Sequence, residues 1–534
     1  MDAQPGTSIT LKNTCLPVWF QMSDVWSPSE SSFRTLLTKS MGRGMPAVST
    51  FSLTGDAYVD GILGDRKWAV SSLSYSFPVS GSYYGSSYGE GENSSGFGAL
   101  NAAQQSTVRA ALRMYAAVAN LSFTEIAETA TQHADLRFAM SGVPSTAWAY
   151  FPSTAAEGGD AWFNKTDYTS PVRGNYAYLT FLHEIGHALG LEHPHESGLP
   201  VDRDSLEYTV MSYRSYVGAS TASGYVNETW GYAQSLMMYD IAALQHLYGA
   251  NYSTSSGNTT YSWSPATGEM FINGVGQGAP GGNKILLTVW DGSGTDTYNF
   301  SNYATNLKVD LRPGEWTITS SAQLAQLHWG GSRMAVANIA NALLYQGDAR
   351  SLIENAIGGQ GDDQLTGNIA NNHLSGGIGN DVLYGLEGDD TLVGGLGQDL
   401  LVGGLGQDTF HFNFLSDGGD TILDFEAGID RITFSVAGFG VSGSGRPSDV
   451  GVEFIFSGAP SKVAPSILFS MQENSLYWDS DGIGNASMIL IAKIGAAAPS
   501  SVVKRGLGVA PADWLVVGTG DFNGDGTSDI LWRH

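Results

Sequence analysis

Three histidines and a glutamate lie within eleven residues of the chain, in the stretch HEIGHALGLEH at 183–193. The whole sequence of 534 residues contains only 10 histidines. On a helix, His183 and His187 are four residues apart and share one face, so both imidazoles can hold one ion. Gly190 can take a left-handed conformation and return His193 as a third ligand. Three nitrogen ligands with one open position are typical of catalytic zinc sites.

Glu184 follows the first of these histidines and is close enough to act on a water in the open position. Zinc lowers the pKa of such a water to about 7, and Glu184 can take its proton as hydroxide attacks a carbonyl carbon. Accidental clustering of histidines is the alternative interpretation. His195, in the stretch HPHE, lies beyond the third ligand, and we expect it to be a solvated loop residue.

A second pattern repeats every nine residues from 358 to 411, as GGQGDDQLT, GNIANNHLS, GGIGNDVLY, GLEGDDTLV, GGLGQDLLV and GGLGQDTFH. In this pattern, G-G-x-G-x-D-x-L-x, the glycines expose carbonyl groups, the aspartate supplies a charged oxygen and the leucine faces a narrow core. Stacked turns would share calcium ions between them, which predicts an all-β parallel β-roll. A disordered Gly/Asp-rich tract is the alternative, and the strict period argues against it.

The predicted calcium ligands in the repeats occupy their second, fourth and sixth positions. They are Gly359, Gly361, Asp363, Asn368, Ala370, Asn372, Gly377, Gly379, Asp381, Leu386, Gly388, Asp390, Gly395, Gly397, Asp399, Gly404, Gly406 and Asp408. The second repeat has Asn372 in place of aspartate and lacks the usual glycines, so we expect a weaker site there.

Acidic residues outnumber basic ones, with 51 Asp and Glu against 25 Lys and Arg, for a net charge of −26. From 351 to 430 there is no Lys or Arg and there are 14 acidic residues, so this segment should compact only when cations neutralise it. Such a surface disfavours nucleic acid and anionic lipid as partners. The single cysteine excludes an intrachain disulfide, and no apolar stretch is long enough to predict a membrane span.

Hydrophobic periodicity predicts an α+β fold for the segment that carries the histidines. Strands are predicted at 67–78, 134–140 and 147–152, and helices at 101–120 and 237–249. The histidine stretch is predicted to belong to a helix over 179–190, with Thr180 as N-cap and Gly190 as its end.

With these histidines, the chain resembles the metzincin metalloproteases, whose signature is H-E-x-x-H-x-x-G-x-x-H. The stretch YTVMSY at 208–213 is similar to their Met-turn, with Met211 beneath the metal. The resemblance implies that Tyr213 can ligate zinc and stabilise an oxyanion. Among metzincins the chain is most similar to serralysins, from about residue 54 to 435, on SLSYSFP, GGDAWFN, DIAALQHLYGAN and VWDGSGTDTYNFSNY.

The serralysin resemblance implies further site residues. The stretch AWAYFP would be the edge strand of the cleft, with Ala147, Trp148, Ala149 and Tyr150 pairing with substrate backbone, which implies broad specificity. Additional calcium is implied at Asp291, Ser293, Gly294, Asp296 and Glu354. The Arg-x-Gly-x-Thr segment expected upstream is not visible in YSWSPATGEMF, which leaves that site in question.

Both ends of the chain carry separate features. Residues 1–55 are expected to be an N-terminal extension or an inhibitory propeptide of a zymogen. Cys15 either occupies the open position on zinc as a thiolate or is a free thiol without a role. In DFNGDGTSD, the calcium-loop positions are Asp521, Asn523, Asp525 and Asp529, which resemble the start of a propeller-like repeat. One copy cannot form a propeller.

The predicted organisation therefore has six parts. They are the extension at 1–55, a zinc metalloprotease domain at 56–250, a β-rich connecting segment at 251–350, the β-roll of the nonapeptide repeats, which resemble RTX repeats, at 351–435, a β-rich part at 436–500 and the start of the calcium-loop repeat at 501–534.

The leading hypothesis is a secreted endopeptidase with one catalytic Zn²⁺ and several structural Ca²⁺ ions. Its expected partners are protein or peptide substrates, the type I secretion machinery implied by the repeats and, as an open alternative, a proteinaceous inhibitor. The rival hypothesis is a calcium-dependent extracellular surface or adhesion protein with an ancillary zinc domain. An astacin- or matrix-type protease would keep the chemistry but would not predict the repeats.

Overall fold

The structure is a computed structural model that describes residues 44–85, 88–443, 447–456 and 458–495, and the backbone of 515–520 and 529–533. The predictions for Cys15, Asp521, Asn523 and Asp525 lie outside the described residues, and for Asp529 only the backbone is described. None of the helices in this part of the chain has the length and apolar character needed to cross a bilayer.

Five α-helices and a five-stranded sheet form the first half of the described chain. The sheet has the order β4-β3-β5-β7-β6, in which only the edge strand β6 runs antiparallel to its neighbour. The helices are α1 (Ala57–Asp60), α2 (Ala102–Val118), α3 (Tyr176–Ala188), α4 (Pro194–Ser197) and α5 (Met238–Tyr248). The strands are β1 (Val48–Ser49), β2 (Lys67–Trp68), β3 (Ser72–Ser76), β4 (Ser122–Glu125), β5 (Leu136–Met140), β6 (Ala147–Ala149) and β7 (Ala161–Phe163).

Helix α3 begins one turn earlier than predicted, and the prediction of Thr180 as its N-cap is wrong. The side chain of Asn175 accepts a hydrogen bond from the Tyr178 amide at 2.9 Å and so caps the helix. Thr180 lies inside the helix, where its hydroxyl donates to the Tyr176 carbonyl oxygen at 3.0 Å. The predicted end is close to the observed one: the helix ends at Ala188, and Gly190 has a φ of 103° that favours glycine.

The second half of the described chain is built mainly from two long sheets. One has the order β10-β9-β8-β12-β16-β18-β20-β22-β24, and the other β13-β17-β19-β21-β23-β28-β27-β26-β25. Their strands are β8 (Thr260–Trp263), β9 (Met270–Ile272), β10 (Val275–Gly276), β12 (Thr297–Asn299), β13 (Lys308–Asp310), β16 (Asn355–Ile357), β17 (Gln364–Thr366), β18 (His373–Ile378), β19 (Val382–Glu387), β20 (Thr391–Leu396), β21 (Leu400–Leu405), β22 (Thr409–Phe412), β23 (Asp420–Ile422), β24 (Arg431–Phe434), β25 (Glu453–Phe456), β26 (Ser466–Ser470), β27 (Ser475–Asp479) and β28 (Ile489–Ile494).

Two smaller sheets complete the strands of this half. The sheet β11-β15-β14 consists of β11 (Leu287–Val289), β14 (Trp316–Thr317) and β15 (Ile339–Asn341). Strands β29 (Leu515–Gly520) and β30 (Asp529–Arg533) pair antiparallel with each other.

Successive nonapeptides alternate between the two long sheets, because each repeat pairs in parallel with the repeat eighteen residues later. Leu374 lies opposite Leu392 in one sheet, and Leu383 lies opposite Leu401 in the other. The eighth residue of all six repeats is fully buried in one shared core; these residues are Leu365, Leu374, Leu383, Leu392, Leu401 and Phe410. A single apolar position in every nine therefore supplies the core of this segment.

The hydrophobic core around α3 extends beyond the first half of the described chain. Its buried members run from Val59 to Ala342 and include Leu286, Trp290 and Leu327. The segment between α5 and the repeats therefore packs partly on the helices and partly in the long sheets.

We predict that Leu383→Ala lowers the free energy of unfolding of the repeats by about 2–5 kcal/mol, because it leaves a cavity in a narrow core. Ile378→Ala is the matched control, since Ile378 is 49% exposed on a neighbouring strand and should change stability by less than about 0.5 kcal/mol. Guanidinium titration followed by tryptophan fluorescence measures both. Equal losses for the two variants would contradict the assignment of the core.

Candidate metal centre and catalytic site

Three imidazole nitrogens converge at the end of α3. The Nε2 atom of His187 lies 3.1 Å from that of His183 and 2.9 Å from that of His193, and the third distance is 3.2 Å. Nδ1 of His183 donates to the Val210 carbonyl oxygen at 2.8 Å, which leaves its Nε2 lone pair directed at the other two rings. The structure thus brings all three predicted metal ligands together.

The same three residues pass a chemical test for a metal ion. Nδ1 of His187 donates to the Leu191 carbonyl oxygen at 2.8 Å, so the lone pairs of His183 and His187 face each other with no proton between them. Burial lowers the pKa of His183 to about 3, and the neighbouring His193 adds to this shift. Burial also holds the pKa of His187 well below its usual value. Neutral imidazoles with converging lone pairs fit a divalent cation, and such a donor set suits zinc.

Glu184 lies beside the three imidazoles and is almost completely buried. Its Oε2 atom has no hydrogen-bond partner in the described part of the chain. Burial raises the pKa of Glu184 to about 8, so its carboxyl group can exchange a proton near neutral pH. A cation on the histidines would favour its ionised form.

The turn that contains Met211 packs directly under α3. A Cβ atom at Gly186 would lie only 2.5 Å from the Met211 sulfur, so this close approach requires glycine in the helix. Met211 is fully buried, as expected for an apolar floor beneath the histidines.

A residue that the sequence did not single out, Asp240 of α5, holds this turn in place. Its buried carboxylate accepts hydrogen bonds from the Thr209 hydroxyl at 2.5 Å and from the amides of Val210 and Met237, both at 2.8 Å. The Val210 carbonyl oxygen in turn orients His183. The available signal was a lone acidic residue in the first turn of an otherwise apolar helix.

Tyr213 lies over the histidine cluster and is partly exposed. Its ring centroid is 4.4 Å from that of His193 and 5.6 Å from that of His183. Burial and the nearby carboxylate of Glu184 raise the pKa of Tyr213 to about 12, so its hydroxyl keeps its proton. Asp204 accepts from the Ser212 hydroxyl at 2.5 Å and from Nε of Arg214 at 2.7 Å, which fixes the chain on both sides of Tyr213.

His195 remains outside the cluster of converging nitrogens. Its ring lies 5.4 Å from His193 and 5.0 Å from Tyr213, and its Nε2 is 3.8 Å from a carboxylate oxygen of the exposed Glu196. This position beyond the third ligand agrees with the expectation, but His195 lies in the one-turn helix α4, so the prediction of a loop residue is wrong.

A cavity of about 400 Å³ opens beside Glu184, between β6 and the segment that follows Met211. Tyrosine side chains dominate its wall: Tyr168, Tyr176, Tyr213, Tyr225 and Tyr232. Of the four predicted cleft residues, Ala147 lines the cavity, and Ala147 and Ala149 pack towards the core of α3. Trp148 and Tyr150 pack instead with Trp162 in a separate aromatic cluster.

Comparison with known proteins links this geometry to a family. Residues 94–212 match the matrixin family model, and residues 250–442 match the model of the peptidase M10 serralysin C terminal. Serralysin of Proteus mirabilis is 39% identical over 368 residues, which cover 63% of this chain and 69% of that protein. Metalloprotease AprA of Pseudomonas entomophila (strain L48) is 35% identical over 424 residues, covering 75% of this chain and 79% of that protein. The chain belongs to the serralysin family.

Family membership confirms the predicted class of a zinc metalloendopeptidase and implies one catalytic zinc ion and protein substrates. The match to metallopeptidase AprA of Pseudomonas marginalis is shorter, at 34% identity over 318 residues, and spans 61% of that protein. The order of a matrixin domain followed by a serralysin C-terminal domain agrees with the predicted order of an α+β part and a mostly β part.

A cluster of acidic side chains lies where the serralysin resemblance implied calcium before the repeats. The amide of Asp296 donates to a Glu354 carboxylate oxygen at 2.7 Å, and Tyr261 donates its hydroxyl to Asp291 at 2.8 Å. Burial and the neighbouring carboxylate of Asp296 raise the pKa of Asp291, and burial raises the pKa of Glu354 to about 7. The second oxygen of Asp296 is buried without a hydrogen-bond partner among the described residues, so the cluster can accept a cation. Ser293 donates its amide to Asp291, and Gly294 has a φ of 147°.

The sixth residues of the repeats form two ladders of carboxylates. The amide of Asp381 donates to Asp399 at 2.8 Å, and the amide of Asp390 donates to Asp408 at 2.9 Å. Burial raises the pKa of both Asp381 and Asp390 to about 7. In three of these aspartates, Asp381, Asp390 and Asp399, the second carboxylate oxygen is buried without a hydrogen-bond partner among the described residues. Such oxygens are suitable calcium ligands.

Both ladders continue past the last nonapeptide, which the repeat pattern did not predict. The amide of Asp399 donates to Asp420 at 3.0 Å, and the amide of Asp408 donates to Asp430 at 3.0 Å. In the second repeat, by contrast, the side-chain amide of Asn372 donates to the Glu354 carbonyl oxygen at 2.8 Å. An amide in this place brings no negative charge, in line with the weaker site expected there.

We predict that Leu386→Gly stabilises the fourth repeat by about 0.5–1 kcal/mol, because Leu386 has a φ of 86° where other repeats have glycine. The glycines at the equivalent positions 377, 395 and 404 have φ values of 104–110°. The midpoint of thermal unfolding in calcium should rise. Leu405→Gly is the control. It places a glycine in β21, the strand next to that of Leu386, and should lower stability by a similar amount. A loss of stability in Leu386→Gly would contradict backbone strain at this site.

Proposed function

We propose that the chain is a secreted, extracellular zinc endopeptidase that cleaves polypeptides at the end of α3 and depends on calcium for its stability. The observation that carries this proposal is the convergence of three Nε2 atoms within 3.2 Å of one another, beside the buried carboxylate of Glu184, whose Oε2 atom has no hydrogen-bond partner in the described part of the chain. The family relationship supports both the metal and the class of substrate.

His183, His187 and His193 are the proposed zinc ligands, and Tyr213 is proposed as a further, switchable ligand. When bound, zinc polarises the scissile carbonyl and lowers the pKa of water to about 7. Glu184 takes the proton of the attacking water and later delivers it to the nitrogen of the leaving amine. Tyr213, whose hydroxyl stays protonated, donates a hydrogen bond to the negative charge that develops on the carbonyl oxygen.

Substrate binding is proposed to use the edge of β6 and the tyrosine-lined cavity. Strand β6 pairs only with β7 in the described part of the chain, so its outer edge can pair with an extended peptide. The cavity beside Glu184 then accepts one substrate side chain, and its uncharged aromatic wall suits an apolar residue. Backbone pairing elsewhere gives broad specificity.

Calcium is proposed to bind in two regions, the acidic cluster of Asp291, Asp296 and Glu354 and the turns of the repeats. In this interpretation the two long parallel sheets form a calcium-binding β-roll, with backbone carbonyls and the carboxylate ladders as ligands. We further propose that residues 1–55 are a propeptide and that export follows the type I route. A role of Cys15 as a zinc-binding thiolate and the calcium loop at 521–529 remain hypotheses of the same kind.

We predict that Glu184→Ala retains one zinc ion per chain but lowers casein hydrolysis by about 10³-fold or more, because the general base is lost while the ligands remain. Zinc content is measured by elemental analysis and activity by release of acid-soluble peptides. Glu184→Gln is the isosteric control and should behave in the same way. Either variant with wild-type activity would refute the assigned role.

We also predict that stabilisation by calcium increases from pH 5 to pH 8. Without cations, Asp381 and Asp390 have pKa values of about 7 in the folded chain, above the value of about 4 for unfolded aspartate. Their protonation therefore stabilises the calcium-free fold fully below about pH 4, and this contribution is lost as the pH rises towards 7. Calcium requires the ionised form, so its effect grows over the same range.

The measurement is thermal unfolding at pH 5, 6, 7 and 8 in calcium-free buffer with equimolar zinc, with and without added calcium. The difference in unfolding temperature should widen with pH. Asp381→Asn with Asp390→Asn removes two of the titrating groups and should weaken this dependence. If the rise in unfolding temperature caused by calcium stayed constant or became smaller with increasing pH, the proposed ligands would be contradicted.

A further inference from the structure

We propose that Glu92 is a positioning residue for substrate binding, which holds the edge strand β6 at the place where a peptide pairs with it. This inference rests on the proposed function of the cleft. Glu92 is fully buried and lies outside the zinc helix, in the loop between Tyr88 and Gly98.

The carboxylate of Glu92 receives three hydrogen bonds, and two of them come from the edge strand. Nε1 of Trp148 donates to Oε1 at 3.0 Å, and the hydroxyl of Tyr150 donates to the same oxygen at 2.5 Å. The amide of Glu90 donates to Oε2 at 2.8 Å. An ionised carboxylate accepts such bonds more strongly than a neutral group does.

Both of these donors lie on one face of the strand, opposite the substrate side. Trp148 and Tyr150 pack in the aromatic cluster with Tyr84, Tyr88 and Trp162. The alternate residues Ala147 and Ala149 pack towards the core of α3, and Ala147 reaches the cavity beside Glu184. Glu92 therefore fixes the strand from behind and leaves the cleft face unobstructed.

The edge strand is short, and its pairing extends one residue beyond each end. It is three residues long and pairs only with β7 in the described part of the chain, and its cleft-side residues are two alanines with little area to bury. The Asn164 amide donates to the Thr146 carbonyl oxygen at 2.8 Å, and the Tyr150 amide donates to the Asp160 carbonyl oxygen at 2.9 Å. The side chains on the opposite face of β6 add to this one-sided backbone pairing in fixing its position. Misplacement of about 1 Å at a binding element can cost about 10²-fold in rate.

Glu92 can serve as a fixed point because its own loop is anchored to the end of β5. The buried hydroxyl of Ser141 donates to the Glu92 carbonyl oxygen at 2.8 Å and to that of Ser95 at 3.1 Å. The amide of Gly142 donates to the Ser95 carbonyl oxygen at 2.8 Å. A continuous path thus runs from the central sheet through the loop to the strand edge.

The test compares Glu92→Ala and Glu92→Gln with wild type on two fluorogenic peptides. One is a decapeptide with five residues on each side of the scissile bond, which spans the strand. The other has two residues on each side and makes little use of it. Glu90→Gln is the matched control, because the exposed Glu90 contributes only its backbone amide to the carboxylate of Glu92.

We expect Glu92→Ala to raise KM for the decapeptide on the order of 10-fold, with kcat and kcat/KM for the short peptide changed less than about 3-fold. Glu92→Gln, which keeps one acceptor oxygen for Trp148 and Tyr150, should recover much of the loss. Zinc content should remain at one ion per chain. Tyr150→Phe should raise KM for the decapeptide as well, and combining it with Glu92→Gln should cost less than the sum of the two changes.

Equal effects of Glu92→Ala on both peptides, or no effect on either, would overturn the inference about Glu92. The proposed protease function would still be supported by the activity of the wild type. If wild type cleaves neither peptide, the proposed function itself fails. Should Glu92→Ala not fold, Glu92→Gln and Tyr150→Phe decide the question, and wild-type KM values in both of them would overturn it.

Discussion

The structure depends on one electrostatic constraint. Buried nitrogen or oxygen atoms direct their lone pairs at one another and need a cation between them. At the end of α3 these atoms are three imidazole nitrogens whose other ring nitrogens are already committed to hydrogen bonds, at Val210 and Leu191 for the two helical ligands. Lone pairs about 3 Å apart in a buried site repel unless a positive charge lies between them. The local polar geometry thus favours a cation at this place, in agreement with the catalytic zinc that family membership implies.

The same constraint governs the repeats with a different donor atom. In each of the last four repeats the sixth-position aspartate accepts a hydrogen bond from the backbone amide of the sixth residue two repeats earlier. The second oxygen of three of these aspartates has no partner among the described residues. Between 351 and 430 the sequence contains no Lys or Arg to neutralise them. Oxygen donors in flexible turns suit calcium, as nitrogen donors on a rigid helix suit zinc. The two halves of the described chain therefore present the same physical problem with two kinds of donor atom, nitrogen in one and oxygen in the other.

How far the sequence predicts this arrangement depends on whether the relevant signal is local. The spacing of His183, His187 and His193 and the nine-residue period both fix geometry over short distances, and the structure places these residues as expected. The N-cap of α3 was misassigned because threonine can bond the preceding turn from inside a helix, as Thr180 does, while the true cap, Asn175, follows a loop without periodicity.

Residues whose contacts lie far away in the sequence could not be identified from a local sequence pattern. Asp240 supports a turn about thirty residues earlier in the chain, and Glu92 supports a strand more than fifty residues later. Asp420 and Asp430 continue the ladders at separations of 21 and 22 residues, so the eighteen-residue register no longer identifies them. Tertiary structure supplies these contacts, and only a structure shows them.

The second half of the described chain also bears on the cleft through shared contacts. The amide of Gln234 donates to the Leu286 carbonyl oxygen at 2.9 Å, and that of Glu228 donates to the Gln326 carbonyl oxygen at 3.0 Å. These residues belong to the same stretch as Tyr225 and Tyr232, which wall the cavity beside Glu184. Leu286 belongs to the core around α3, while its neighbours Ile285 and Leu287 belong to the core of the long sheets. Because close-packed cores transmit displacement, the packing of the long sheets supports the wall of the cavity beside Glu184.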